Sequence, residues 1–444
     1  MKSLNQLENY TSELATAAKD LADLCRDAGL GSTPALTLPR DAPLEVHRAR
    51  RNVLAAVARV QTLLAEPADF IQQLASQNQL LACLRWLGEF QVLACIPLSG
   101  SVPLRDVAEL AGVPEHQLCR IVRMTATAGF LQEPQPGYIA HTALSAPFVT
   151  KLFYLDAAMF LAETAAPTAL QMASATQRNG NSEFSTESAY STAFNTPQSF
   201  AAACKQRTKL QRQWAAYRRC AGEGDSGVVE LLSRLDWRSL GSACIVDVGA
   251  QSTSAAAALS ELYPALRFIV QMNDPVGVEN GGCKAGEFNP RITVERRSPA
   301  SPQTVKDAAV YILRLPSHSP GIPSRSLPAR ILAELAAHLG ILRTNSSAAL
   351  VLVPHLLPEP GTVDPDVEAL ARLRDLSRLQ LANEREMEMG ELVDLVHSVH
   401  DGMGRLVVVN KLRTRNSTTV ALGVKYQTHA DGLDKNIEPA FMVL

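Results

Sequence analysis

The 444-residue chain is poor in aromatic residues, 5% of the total, and in charged ones, 19%, and its formal net charge is only −2. With 42 Lys and Arg against 44 Asp and Glu, it lacks the broad basic field that non-specific nucleic-acid binders use to hold phosphates. Any DNA contact must come from a local patch. Its eight cysteines (Cys25, Cys83, Cys95, Cys119, Cys204, Cys220, Cys244, Cys283) include no Cys-x-x-Cys pair and no Cys/His group at zinc-ligand spacing. They are expected to be free, mostly buried thiols of a reducing compartment. Long apolar runs are also missing. The most apolar stretch, 79–98, is interrupted by Arg85 and Glu89, and Met1-Lys-Ser-Leu-Asn-Gln-Leu-Glu8 has no signal core. No membrane span is expected. What remains is a 46% hydrophobic chain, long enough for two or three globular domains.

Leu7, Leu14 and Leu21 recur every seven residues, accompanied by Leu4, Thr11, Ala18 and Cys25, which predicts a heptad-like helix. Three heptads do not hold a coiled coil alone, so this helix should pack on its own protomer or on a dimer mate. A Gly/Pro-rich stretch, 29–43, leads to a second helix over 44–65, with the basic cluster His47-Arg-Ala-Arg-Arg51 near its start. That cluster suits either a nuclear-localisation signal or a solvated helix face. These helices and their linker make up 1–66. A winged helix-turn-helix is expected over 69–149, a connecting helix and polar linker over 150–192, and an α/β domain over 193–430.

In the winged helix, Leu104 to Ala111 should form the first helix, with Leu104, Val107, Ala108 and Leu110 inward, closed by Gly112 in the left-handed conformation. Pro114 suits the first turn of the next helix, which should run from Glu115 to Ala128 with Leu118, Ile121, Val122 and Thr125 inward. The helix-turn-helix thus centres on 106–125. Two short strands around a Pro/Gly turn follow, between Gly129 and His141. The outward positions of the second helix carry Glu115, His116, Gln117, Arg120 and Arg123, where a DNA reader would place base and phosphate contacts. Arg105, Arg120 and Arg123 are outnumbered by Asp106, Glu109, Glu115 and Glu133. That balance favours a dimer or protein contact over direct DNA reading.

Downstream, a basic helix with Lys205, Arg207, Lys209, Arg212, Arg218 and Arg219 is expected to face solvent. Strands near Cys244, Arg267, Ala309 and Ala349 alternate with helical segments near Ala255, Leu327 and Val367, and 405–410 with 419–426 suits a closing hairpin. The pattern predicts a doubly wound Rossmann-like sheet. Ligands bind such sheets at the carboxyl edge, where Val248 runs into Gly249-Ala-Gln-Ser-Thr253.

Cys244-Ile-Val-Asp-Val-Gly-Ala-Gln-Ser252 resembles the first strand and loop of plant and fungal S-adenosylmethionine-dependent O-methyltransferases, which carry a pattern close to D-x-G-G-G-x-G. Here Gly249 remains, and Ala250, Gln251 and Ser252 follow it. The resemblance places an acid on the cofactor ribose after the second strand. This chain has Met272, with Asp274 two residues on. Leu313-Arg-Leu-Pro-Ser-His-Ser-Pro320 resembles the family's L-R-x-x-L-H-D-W, which puts His318 at the general base but loses the Asp-Trp. Pro354 stands where the family has an orienting Glu, and Glu384 matches a second family acid. A base without a partner that fixes its tautomer is a poor catalyst. The degenerate loop is therefore expected to bind no cofactor.

The segments Gln79-Leu-Leu-Ala-Cys-Leu84, Arg85-Trp-Leu-Gly-Glu-Phe90, Ala111-Gly-Val-Pro114, Ala162-Glu-Thr-Ala-Ala-Pro167 and Val248-Gly-Ala-Gln-Ser252 resemble the aflatoxin-cluster transcriptional co-activators of filamentous fungi. The resemblance runs from about residue 65 to 426. It implies a nuclear, methyltransferase-shaped co-activator, present also in the cytoplasm or not, that assists a pathway-specific zinc-cluster transcription factor on a polyketide-type gene cluster. It implies a homodimer and leaves promoter DNA contact through the winged helix open. The alternative is an active O-methyltransferase acting on a phenolic intermediate with His318 and Glu384.

Overall fold

The computed structural model describes residues 2–30, 38, 42–221, 226–272, 289–315, 326–354, 356–413 and 419–429. They form two compact units, Met1–Arg178 with Thr192–Asn195 and Ala203–Gly222, and Asn179–Ser191 with Thr196–Ala202 and Glu223–Leu444.

The first unit begins with α1 (Lys2–Asp27) and α2 (Leu44–Leu64). Leu21 and Cys25 bury themselves against Val46 and Ala49, so the heptad row is used within the chain. The basic cluster lies inside α2, where Arg50 is exposed and His47, Arg48 and Arg51 are half-buried. Helix α3 (Pro67–Glu89) opens with Pro67 and a capping box between Glu66 and Asp69. The winged helix follows as β1 (Val102–Pro103), α4 (Leu104–Ala111), α5 (Glu115–Ala126), β2 (Leu131–Gln132) and β3 (Tyr138–His141), in sheet order β1-β3-β2. Gly112 takes φ +67° and closes α4, with the Val113 N–H donating to Ala108 O at 2.9 Å. Leu104, Val107, Leu118, Val122, Phe130, Leu131 and Ile139 form one core.

Two expectations need correction here. Leu110 is 72% exposed, because it stands about 120° round the helix from Leu104 at roughly 100° per residue. The second is the end of α5, which falls at Ala126 rather than Ala128, whereas Ile121 is half-buried and packs against the core of Leu118 and Val122 as expected.

Helices α6 (Phe153–Phe160) and α7 (Thr208–Cys220) also belong to this unit. The basic face of α7 is outward but engaged. Lys209 reaches Glu163 at 3.0 Å, Arg212 grips Asp156 at 2.8 and 3.0 Å, and the Arg219 guanidinium lies 4.2 Å from the Phe153 ring centre. Exposed pairs of this kind contribute little to stability, but they occupy the cations.

The second unit is a seven-stranded sheet. It comprises β4 (Cys244–Val248), β5 (Arg267–Met272), β6 (Ile292–Arg296), β7 (Val310–Leu313), β8 (Ala349–Leu352), β9 (Gly404–Arg413) and β10 (Val420–Thr428), in the order β6-β5-β4-β7-β8-β10-β9. The first five pair in parallel, and β10 joins antiparallel to β8 and β9. Between the strands run α8 (Ser254–Leu262), α9 (Ser326–Thr344), α10 (Pro365–Ala382) and α11 (Met389–Ser398). Alternate residues face opposite layers. Val246, Val248, Tyr311, Leu313, Leu350 and Leu352 pack against α9 and α11, while Ile245, Val310, Ile312, Ala349 and Val351 pack against α8 and Trp237. A strand covered on both faces reads as an unbroken apolar run, which is why β4, β7 and β8 are buried throughout. Doubly wound topology is thereby confirmed, with its reversal between β4 and β7.

Candidate functional site

The carboxyl edge of the sheet is held together by backbone bonds. Gly249 N–H donates to Gln271 O at 2.8 Å, Arg314 N–H to Val248 O at 2.9 Å, and Arg297 N–H to Met272 O at 2.9 Å. These bonds bring the loop after β4 beside the ends of β5, β6 and β7. Gly249 has φ +74°, and a Cβ there would meet Arg314 O at 3.2 Å, so this one glycine is required by the backbone itself. The next positions carry side chains. Ala250 is buried against the layer of α8, Gln251 is exposed, and Ser252 sets its hydroxyl on the Ser254 hydroxyl at 2.6 Å and on the Ser254 N–H at 3.3 Å. That N–H belongs to the first turn of α8, where an anionic ligand would otherwise find its donors. Met272 packs against the same apolar layer as Ala250, and a thioether offers no substitute for a carboxylate acceptor.

Two acids at this edge are committed internally. Asp247, buried on β4, is gripped by Arg314 at 2.8 and 3.0 Å. Beyond β5 and β6, buried Gln271 and Gln303 exchange amide bonds at 3.0 and 2.8 Å, and Arg297 pairs with Glu334 at 2.9 Å with both side chains nearly dry. Glu334 also receives the N–H of Ala300, a left-handed residue at φ +56°. His338 lies next to this group. Its Nδ1 is 2.7 Å from Glu334 O, and since a carbonyl only accepts, Nδ1 carries the proton and Nε2, 3.5 Å from Gln303 Nε2, is the acceptor. Burial lowers the pKa of His338 and the nearby Arg297 charge adds to it.

Of the catalytic residues of the enzyme reading, Glu384 alone lies among the described residues. His318 lies outside the described residues, as does Asp274. Glu384 is half-buried just past Asn383, the left-handed residue that ends α10, and its N–H donates to Arg378 O at 3.3 Å. Pro354 is buried, with its carbonyl accepting the Val420 N–H at 3.3 Å. The strongly held acid in this region is Glu386, missed in the sequence, which is clamped by Arg374 and approached by Arg378. No local pattern marks a residue whose partners lie a helix away.

In the winged helix, Glu115, His116, Gln117, Arg120 and Arg123 are all exposed. Arg123 is already engaged by an acid of the wing. It donates to both oxygens of Glu133 at 2.8 and 3.1 Å, and this bond, with the Gly137 N–H, holds the Glu133 carboxyl at about 2. The wing thereby sets a carboxylate beside one of the two arginines of α5.

We expect the isolated protein to bind duplex DNA only in the non-specific range, about 10⁻⁴ to 10⁻⁶ M at physiological salt. Gel-shift titration across a salt series checks this, with Arg120→Glu/Arg123→Glu changing little. Nanomolar, sequence-selective binding lost in that variant would make the surface a DNA reader.

Comparison with known proteins gives two sets of likenesses. Residues 4–65 match the family model of the trypacidin cluster transcriptional coactivator tpcD N-terminal domain. The chain is 60% identical over 354 residues to a transcriptional coactivator of Pseudocercospora fijiensis, covering 79% of this chain and 97% of that one. It is 48% identical over 476 residues to the monodictyphenone cluster transcriptional coactivator mdpA of Emericella nidulans, covering 97% and 99%. Among solved structures it is similar to the LepI complex with SAM, with TM-score 0.63 and 15% identity over 94% of this chain and 100% of that one. At that identity the likeness shows the fold alone. Among the described residues, no helix is long and apolar enough to cross a membrane, and no group of His, Cys, Asp or Glu is placed to hold a metal ion.

Proposed function

We propose, for a chain that belongs to the family of fungal secondary-metabolite cluster transcriptional coactivators, that it acts in the nucleus with a pathway-specific zinc-cluster transcription factor and that its methyltransferase-like unit is a scaffold without catalysis. The observation that carries the second part is the state of the carboxyl edge. Ala250 and Met272 are packed into the apolar layer, Asp247 is committed to Arg314, and Ser252 covers the start of α8. S-adenosylmethionine needs a bare glycine loop and a ribose-binding acid, and the described residues of this edge do not fit it.

Self-association is part of the proposal. The first half of α3, from 67 to 79, is exposed on all sides and presents Phe70, Ile71 and Leu74 with Asp69 as its one charge. An apolar, nearly uncharged helix face suits contact with an identical chain. DNA contact is then left to the transcription factor, in keeping with the Arg123–Glu133 pair.

The second reading, an O-methyltransferase using His318 and Glu384, is favoured by the fold alone. One pair of measurements separates the two. Deleting the gene should lower transcripts of its biosynthetic cluster, and S-adenosylmethionine should leave the melting of the purified protein unchanged. A binder at one hundred times its Kd would gain about 2.7 kcal/mol. A clear upward shift, with methyl transfer lost in His318→Ala and transcripts untouched, would establish the enzyme instead.

A further inference from the structure

Strand β6 ends at Arg296, and Arg297-Ser298-Pro299-Ala300-Ser301-Pro302 follows it, with two of the three Ser/Thr-Pro pairs found among the described residues. The three differ in what they offer an enzyme. Thr196 is half-buried, and its hydroxyl accepts the Gln198 N–H at 3.2 Å. Ser301 is half-buried too, and its hydroxyl donates to Ser298 O at 2.7 Å. Ser298, Pro299 and Ala300 are all exposed. They form a turn closed by the Ser301 N–H on Ser298 O at 3.2 Å, with Pro299 and Ala300 at its centre and Ala300 at φ +56°. Glycine is the ordinary residue for that conformation, and a side chain there is strained. What holds the turn lies beneath it. The Glu334 carboxylate accepts the Ala300 N–H at 2.6 Å and Arg297 Nη1 at 2.9 Å, while Arg297 Nη2 donates to Ser301 O. Both charged side chains are nearly dry, so a strained exposed turn hangs on one buried ion pair.

We propose that Ser298 is a phosphorylation site for a proline-directed protein kinase, and that its phosphate releases this turn. Neither part depends on the coactivator reading. A residue before proline is kept out of the helical region and biased to extended backbone, the form that lies in an enzyme's peptide groove, and the strain at Ala300 lowers the cost of opening the turn to fit. In the transfer, Ser298 Oγ attacks the γ-phosphorus of ATP held by the kinase, and its hydroxyl proton passes to the kinase's base. The Oγ–P bond forms as the bond from the γ-phosphorus to the β,γ-bridging oxygen breaks, and ADP leaves. The new group carries about −1.5 to −2 charges at pH 7, one residue from Arg297 and two from Arg296. It competes with Glu334 for the Arg297 guanidinium through charge-assisted bonds and repels the Glu334 carboxylate. Both effects loosen the acceptor that holds the Ala300 N–H. Because the Arg297 N–H bonds Met272 O at 2.9 Å, the release reaches the carboxyl edge of β5.

The test uses the purified full-length chain, ATP and a kinase of the mitogen-activated class, whose activity is checked on a synthetic 294–303 peptide. Cleavage after arginine and lysine yields the 298–306 peptide, and fragmentation of it should place the phosphate on Ser298. Pro299→Ala should abolish that phosphorylation. Hydrogen exchange of the Ala300 amide, protected by Glu334 in the unmodified chain, should become about tenfold faster or more in the phosphorylated one, as local opening becomes easier. Ser298→Ala, treated with the same kinase and ATP, should melt like the wild type and keep the slow exchange. Phosphate on Ser301 in place of Ser298, or phosphorylation of the synthetic peptide but not of Ser298 in the folded chain, would overturn the site. Unchanged Ala300 exchange in the chain phosphorylated at Ser298 would overturn the release.

Discussion

Asp247→Ala is expected to cost the sheet-bearing unit about 3–5 kcal/mol, the range for removing one partner of a buried ion pair. The Asp247 side chain is 2% exposed and that of Arg314 12%, so the arginine left behind would lose its bidentate carboxylate in a largely desolvated setting. Replacing both, as Asp247→Leu/Arg314→Met, should cost far less, because an apolar pair of similar volume also removes the desolvation penalty. The contrast between single and double variants distinguishes a structural clamp from a ligand site. Because the chain has two units, a global melt would mix them. Hydrogen exchange of the β4 and β7 amides reports on this unit alone. A loss under about 1 kcal/mol in Asp247→Ala would mean that the pair does not hold the edge and that the carboxylate is free to serve a ligand.

The winged helix was legible in the sequence because its signals are local. Gly112, Pro114 and the 104-107-108 and 118-122-125 stripes each dictate backbone or burial within a few residues. The strands β4, β7 and β8 were legible for the same reason, as apolar runs bounded by turns. Strand β6 escaped because Ile292-Thr-Val-Glu-Arg296 is an exposed edge strand with weak alternation. The site was legible as a set of departures at Ala250, Met272 and Pro354, but what replaces the lost chemistry was not. Arg297 meets Glu334 from 37 positions away, and Arg314 meets Asp247 from 67. Pairings of that range leave no periodic trace. An acid inside the apolar strand Cys244-Ile-Val-Asp-Val248 was the one sign that a buried partner had to exist.

Stability should also fall on acidification through His338, and Glu334→Ala should be among the most damaging single changes in the chain. The Glu334 carboxylate neutralises Arg297 and accepts the Ala300 N–H, while its backbone carbonyl, which the substitution keeps, fixes the His338 tautomer. Its loss strands a guanidinium whose Nε already lacks a partner, with an expected cost of about 3–5 kcal/mol. His338 adds the pH dependence. Burial lowers its pKa below the ordinary histidine value, and Arg297 pushes in the same direction while Glu334 opposes it. The unfolded chain therefore takes up the proton more readily than the folded one. Stability from this group is fully present above about pH 6.5, the unfolded value, and is lost as the pH falls below it. Carboxylates elsewhere contribute a slope of the same sign, so the informative quantity is a difference. Between pH 7.5 and 5.5 the wild-type chain should lose more stability than His338→Leu, whose site no longer titrates. Equal losses in the two proteins would show that His338 keeps its proton affinity on folding, and that the buried amides of Gln271 and Gln303, rather than a neutral imidazole, set the polarity of this edge.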